Sequence, residues 1–267
     1  MPPDTREARL YPPKPANVYL FATCLIDQFV PQAGLHAIRL LEREGIAVHF
    51  PRGQTCCGQP AYTSGYPDEA RAVARLQLGL FAQPWPVIVP SGSCAAMMRH
   101  HYPTLFADDP ALAQVAKGLS ERVFEFTEFL VHVLGYAPQD RGEACTVALH
   151  TSCHARREMG VHETARTLLA ALSNIKLVRQ VREEECCGFG GTFALRHPAI
   201  SEAIVTDKVA SLRDSGAATV ISADCGCLLN ILGCAAHLDR AAGSPQPSFA
   251  GEHIASFLWR RTGGEKS

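Results

Sequence analysis

Short apolar runs alternate with longer amphipathic stretches, and the whole alternation occurs twice. In the first half, Val18–Ala22 reads as a buried strand. The stretch 32–44 follows, with Leu35, Ile38 and Leu41 at helical spacing and Gly45 as a stop. Ile46–Phe50 reads as a second strand. Pro67-Asp68-Glu69 starts a helix to about Ala82, with proline in its first turn and acids at the positive end of its dipole. Val87–Val89 is a third strand, with a helix expected after Cys94. The second half repeats the order: strand Thr146–His150, helix 162–172, strand Ile175–Val181, helix 198–215 ending at Gly216, strand Ala218–Ser222 and helix 227–238. Such alternation predicts an α/β fold of parallel strands covered by helices, with the working residues at the carboxyl ends of the strands.

The repetition extends to individual residues. Displaced by about 130 positions, Cys24 falls on Cys153 and Cys56-Cys57-Gly58 on Cys186-Cys187-Gly188. Cys94 falls on Cys225 or Cys227, VYLFATC (18–24) matches VALHTSC (147–153), and Phe129-Leu130 matches Phe257-Leu258. Chance does not keep four landmarks in step. We therefore expect a tandem duplication of two similar lobes, each a small parallel sheet covered by helices. The expected boundaries are a leader at 1–15, a first lobe at 16–137 and a second at 145–262, joined through 137–144, with a loop at 241–248.

Composition narrows the chemistry. With 267 residues, 47% of them apolar and 19% charged, the chain is long enough to bury its own core. The formal net charge of −1 offers no basic excess for a nucleic-acid backbone. The opening MPPDTREARLYPPKPAN has no apolar run of a secretory signal, and no stretch reaches the roughly 18 to 20 apolar residues that span a bilayer. A cytoplasmic location is therefore expected, where an excess of cysteine (11 residues) reads as metal or redox chemistry rather than disulfides.

Each half offers four duplicated thiols: Cys24, Cys56, Cys57 and Cys94, then Cys153, Cys186, Cys187 and Cys227. Thiolates are soft donors, and four of them suit a [4Fe–4S] cluster or a tetrahedral zinc. Adjacent cysteines have Cα atoms only about 3.8 Å apart, so a disulfide between them is strained, whereas two irons of one cluster can each take one. Gly58 and Gly188 permit the bend after each pair, and Arg52, Arg156 and Arg157 lie near ligands in sequence. Cys225, in a C-x-C with Cys227, is a candidate extra ligand. Cys145 and Cys234 read as small buried hydrophobes. His150 and His154 flank Cys153, but Phe21 and Leu25 stand at their counterparts, so supporting roles are expected of both. The glycine-rich Gly188–Thr192 lacks the lysine of a phosphate loop and fits the accommodation of a cluster better. No Ser–His–Asp or HExxH signature is present.

The pattern Cys24…Cys56-Cys57-Gly58…Cys94, repeated as Cys153…Cys186-Cys187-Gly188…Cys227, resembles the cysteine-rich CCG domain pair. That pair occurs in heterodisulfide reductase and in the iron–sulfur subunits of glycolate oxidase and anaerobic glycerol-3-phosphate dehydrogenase. The likeness extends over roughly 17–260 and is nearest to the lactate-utilization members, through TCCGQPAYTSGY (55–66), PSGSCAAM (90–97), HTSCHARREMG (150–160), ECCGFGGTF (185–193) and SADCGCLLNI (222–231). The resemblance implies up to two iron–sulfur clusters and electron transfer beside partner subunits of an L-lactate (2-hydroxyacid) oxidation complex and an electron acceptor, with no nucleic acid. In heterodisulfide reductase a fifth cysteine follows the fourth by three residues. Met97 and Asn230 stand there in this chain, which favours a simple [4Fe–4S], or zinc in one or both sites, over a thiol/disulfide reductase with catalytic clusters.

Overall fold

A computed structural model describes residues 9–265. It contains two four-stranded sheets in which every pairing is parallel. The first comprises β1 (Asn17–Leu20), β2 (Ala47–His49), β3 (Val87–Val89) and β4 (Val123–Glu125), in the order β2-β1-β3-β4. The second comprises β5 (Cys145–Leu149), β6 (Ile175–Val178), β7 (Thr219–Ser222) and β8 (Ala250–His253), in the order β6-β5-β7-β8. The duplication is thus a repetition of topology. In each sheet the order reverses between the first and third strands of the lobe, and loops beyond the carboxyl ends splay apart at such a point to leave a crevice.

The period-two alternation of each strand divides its apolar residues between two cores. Val18, Leu20, Ile88 and Phe124 of the first lobe join Val147, Leu149 and Ile221 of the second in one core shared by both lobes. Tyr19, Phe21, Val87 and Val89 face a separate outer core of the first lobe, and Ala148 and Val220 an outer core of the second. Helices from both lobes fill the shared layer, Pro31–Arg43 contacting Ile254–Arg261 most extensively. His36 Nδ1 meets Ser256 Oγ at 3.0 Å across that contact, and Arg43 donates to the Thr262 carbonyl and hydroxyl at 3.1 and 2.6 Å.

Several elements differ from the sequence reading. Helix Pro31–Arg43 buries Ala33, Ala37, Leu40 and Leu41, while Leu35 is 45% exposed. The apolar face is rotated from the expected one because small alanines, not Leu35, allow the neighbouring lobe to approach. The helix expected at 227–238 runs from Cys225 to Ala241. Strands β4 and β8 had no expectation. They span three and four residues, and β8 (AGEH) has poor strand propensity, so each forms because it completes the edge of an existing sheet. Among the described residues no helix is long and apolar enough to cross a membrane.

Candidate metal centre

All eight duplicated cysteines leave the carboxyl ends of the first three strands of their lobe. Cys24 opens helix Cys24–Phe29 after β1. The preceding Thr23 has φ 67° and ψ 149°, a region a β-branched residue occupies only under strain, and its hydroxyl accepts from the Ile26 N–H at 3.5 Å. Cys94 is the third residue of helix Gly92–Ala96, capped by Ser91, and Cys227 is the third residue of helix Cys225–Ala241, which follows Asp224. This register settles the alternative left by the sequence: Cys227 matches Cys94, and Cys225 matches Gly92.

The two Cys-Cys-Gly turns are built alike. Gly58 (φ 89°) donates its N–H to Cys56 Sγ at 3.4 Å, and Gly188 (φ 80°) donates to Cys186 Sγ at 3.3 Å. A Cβ on Gly58 would stand 3.1 Å from the Ala70 carbonyl, and one on Gly188 only 2.7 Å from that of Ser201. Tyr102 donates to the Cys57 carbonyl at 2.9 Å, and Asn230 to the Cys187 carbonyl at 2.8 Å, so each pair is held from behind.

The sulfurs converge as the duplication requires. Cys57 Sγ lies 3.3 Å from Cys94 Sγ, well outside disulfide length, and all eleven cysteines are free thiols. The Cys24 and Cys56 thiols perturb one another's ionisation, as do those of Cys56 and Cys57. The second set repeats this coupling through Cys153, Cys186, Cys187 and Cys227, with the Cys187 and Cys227 sulfurs within 4.8 Å of one another. The neighbouring Cys24 and Cys57 thiols, with the Gly58 N–H, hold the Cys56 thiol down to about 3. Cys153, Cys187 and Gly188 hold that of Cys186 down to about 2. The thiols of Cys24, Cys57, Cys153 and Cys187 are pushed up, by their neighbouring thiols first and burial second. Each set therefore presents an anionic sulfur among thiols, the donor set a soft metal centre takes up.

Both sets face a single cavity of about 340 Å³ between the lobes, lined by nine of the eleven cysteines. The ninth is Cys225, buried against Ile26 and Ala33. Burial, then the nearby Asp224 carboxylate, pushes its thiol well up. Phe189, Gly190, Gly191 and Thr192 also line the cavity. A Cβ on Gly226 would fall 2.3 Å from the Phe189 ring, and one on Gly191 3.3 Å from Pro60 of the other lobe. These glycines let the cavity walls close.

Two residues without chemistry in the sequence reading tie the lobes together at this cavity. Asp224 accepts from the Ser91 hydroxyl at 2.9 Å, the Ser93 N–H at 3.0 Å and the Ser93 hydroxyl at 2.6 Å, thereby capping the helix that carries Cys94 in the other lobe. His253 Nε2 lies 2.9 Å from the carbonyls of both Pro90 and Ala223, while its Nδ1 accepts from the Ala255 N–H at 3.2 Å. Neither arrangement is legible in local spacing, because each depends on the partner lobe.

The remaining expected residues separate. Asn230 sits behind the second pair as described. Met97 is fully buried in the outer core of the first lobe and does not line the cavity. Arg156 pairs with Glu183 at 2.7 Å, Arg52 and Arg157 are exposed, and none of the three lines the cavity. Cys145 and Cys234 pack at the edges of cores away from it. His154 lines the cavity, its Nδ1 3.6 Å from Cys153 Sγ. His150 is 1% exposed, and neither ring nitrogen has a protein partner. A ring nitrogen of His150 and the sulfurs of Cys187 and Cys227 lie within 4.8 Å of one another. Burial pushes His150 down to about 4, which keeps its imidazole neutral with one N–H to give. His150 does not itself line the cavity, and an unsatisfied buried donor costs about 1–3 kcal/mol. The residues present thus fit a thiolate-ligated metal group.

The chain matches the cysteine-rich domain family CCG twice, over 18–99 and 147–232. It belongs to that family. Each matched CCG segment begins in the first strand of a lobe and runs past the fourth cysteine, so each contains one complete set of the duplicated thiols. The chain is 43% identical over 217 residues to "Lactate utilization protein A" of Bacillus subtilis, covering 81% of this chain and 91% of that protein. It is 45% identical over 219 residues to the protein of the same name from Shouchella clausii, covering 81% and 90%. Among solved structures, a hypothetical protein from Helicobacter pylori superposes with a TM-score of 0.71 over 98% of this chain at 11% identity. The chain spans about half of that protein (52%), and the likeness concerns the fold.

Proposed function

We propose that this CCG chain is a cytoplasmic iron–sulfur electron-transfer subunit of an L-lactate (2-hydroxyacid) oxidation system. In this reading Cys24, Cys56, Cys57 and Cys94 hold one [4Fe–4S] cluster, and Cys153, Cys186, Cys187 and Cys227 hold a second. The observation that carries it is the convergence of two equivalent four-thiol sets on one cavity. The relatives named for lactate utilization support the substrate. A lone zinc at about 2.3 Å from four sulfurs fills its own tetrahedron, so a shared cavity of about 340 Å³ favours the larger group.

A bound cluster supplies one-electron transfer at a potential set by charge, hydrogen bonds and exposure. The chain's residues supply the rest. The anionic sulfurs of Cys56 and Cys186 provide the first charge for each site. Gly58 and Gly188 N–H groups then stabilise those sulfurs once they are fully ionised. Tyr102 and Asn230 fix the orientation of each adjacent pair. Phe189 and the glycine turn around it limit water. Electrons from the hydroxyacid enter from a partner protein and leave to an acceptor, with this chain as conduit.

Anaerobic purification followed by iron and sulfide analysis tests the reading. About eight irons and eight sulfides per chain are expected, with visible charge-transfer absorbance that bleaches when L-lactate is added with the partner proteins. A colourless protein that retains zinc, or no iron after reconstitution, overturns it.

A further inference from the structure

The two thiol sets are duplicated, but their surroundings are not. At the end of β1 stands Phe21, which is fully buried and faces the outer core. The same position after β5 holds His150: Phe21 and His150 donate their backbone N–H groups to Ile88 and Ile221 of the adjoining strand, in equivalent registers. An apolar ring in one lobe is therefore replaced by an imidazole in the other. Its nitrogens are buried and lack any protein partner, and one lies within 4.8 Å of the Cys187 and Cys227 sulfurs. Other differences nearby include His154 in place of Leu25, Asp224 in place of Ser91 and Cys225 in place of Gly92. Asp224 directs its hydrogen bonds to Ser91 and Ser93 of the first lobe, and Cys225 packs on Ile26 and Ala33. His154 is partly exposed and lies 3.7 Å from Glu158, so His150 is the fully buried imidazole without a protein partner beside Cys187 and Cys227.

We infer that His150 is a positioning residue that gives its ring N–H to metal-bound sulfur at the second site and so makes the two centres electrochemically non-equivalent. This deepens the iron–sulfur reading and rests on it. A hydrogen bond to cluster sulfur stabilises the more negative, reduced state and raises the potential of that centre, an effect Phe21 has no means to exert. The role is donation rather than ligation, because four thiols already complete the second set and the first set is built with phenylalanine at the same position. The imidazole then sets how far apart two otherwise duplicated carriers lie in potential, and electrons passing through one chain meet an ordered pair instead of two equal sites.

A potentiometric titration of the anaerobically reconstituted full chain, followed by electron paramagnetic resonance, tests this. The wild-type chain is expected to give two resolved reduction steps. His150→Phe, which copies the first lobe, is expected to move one step to lower potential, leave the other in place and keep the full iron content. His150→Gln retains an N–H donor and is expected to restore much of the shift. Two unmoved steps in His150→Phe with iron retained overturn the inference while leaving the iron–sulfur reading intact. Loss of half the iron in both variants overturns donation in favour of ligation. Absence of iron from the wild-type chain overturns both readings together.

Discussion

At the scale of single residues, the site depends on backbone positions that few side chains tolerate. Thr23 holds a left-handed φ immediately before Cys24, a strain of about 1–3 kcal/mol that packing around the first site must offset. Gly58 and Gly188 combine positive φ with close approach to a neighbouring helix, so the Cys-Cys pairs admit no larger residue after them. Identity at this scale also separates Cys225 from the proposed ligand Cys227. Cys225 and Cys227 are two residues apart on one helix, but only Cys227 shares the register of Cys94 and touches Cys187. Cys227→Ser is expected to cost about half the bound iron, and Cys225→Ser to retain nearly all of it, as read by iron analysis of the two purified variants. Equal loss in both would assign Cys225 to the second set.

At the scale of elements, equivalent strand ends have been put to different uses. Glu125 closes β4, in register with Val89 of β3, and His253 closes β8, in register with Ser222 of β7. Each caps the helix that follows. Glu125 Oε2 accepts from the Thr127 and Glu128 N–H groups at 2.7 and 3.1 Å, while its Oε1 is buried without a partner. Burial pushes Glu125 up from 4.5 to about 8. The folded value exceeds the unfolded one, so its contribution to stability is complete below the unfolded value and is lost as pH rises through about 8. Wild-type thermal stability is therefore expected to fall by roughly 3–5 kcal/mol between these limits relative to Glu125→Gln, whose amide oxygen still caps but does not ionise. Parallel melting curves for the two proteins across this pH range would refute it. The helices after Cys94 and Cys153 widen into π-turns at Met97–His101 and Ala155–Met159, a distortion often found beside functional sites.

At the scale of the molecule, the two lobes are joined through a common core. Their sheets share a core, and the helices between them belong to both. Phe257 is fully buried in that core and far from the thiols in sequence. Phe257→Ala is expected to lower stability by about 3–5 kcal/mol, with near- and far-ultraviolet dichroism still reporting a single unfolding transition. Two separate transitions would mean that the lobes fold independently. The shared core also accounts for the site: with one cavity formed between lobes, Asp224 and His253 can fasten one lobe's cysteine-bearing loop to the other.

The eight thiols, their division into two sets, the parallel α/β lobes and the family resemblance were all legible in the sequence. Duplication repeats local patterns in register, and strand–helix alternation dictates which ends of the sheet carry loops. Local periodicity did not reveal β4 or β8, which exist because a neighbouring strand offers them hydrogen bonds. Nor did it orient helix Pro31–Arg43, whose buried face was chosen by the partner lobe. Arg156 is near the cysteines in sequence but turns to Glu183, whereas His150, given only a supporting role by its lack of a counterpart, has a ring nitrogen within 4.8 Å of two of the sulfurs. The chain's own pattern determined which atoms are available for the chemistry. Tertiary structure alone decided that both sets open into one cavity and that their environments differ, because those properties arise from contacts between residues more than a hundred positions apart.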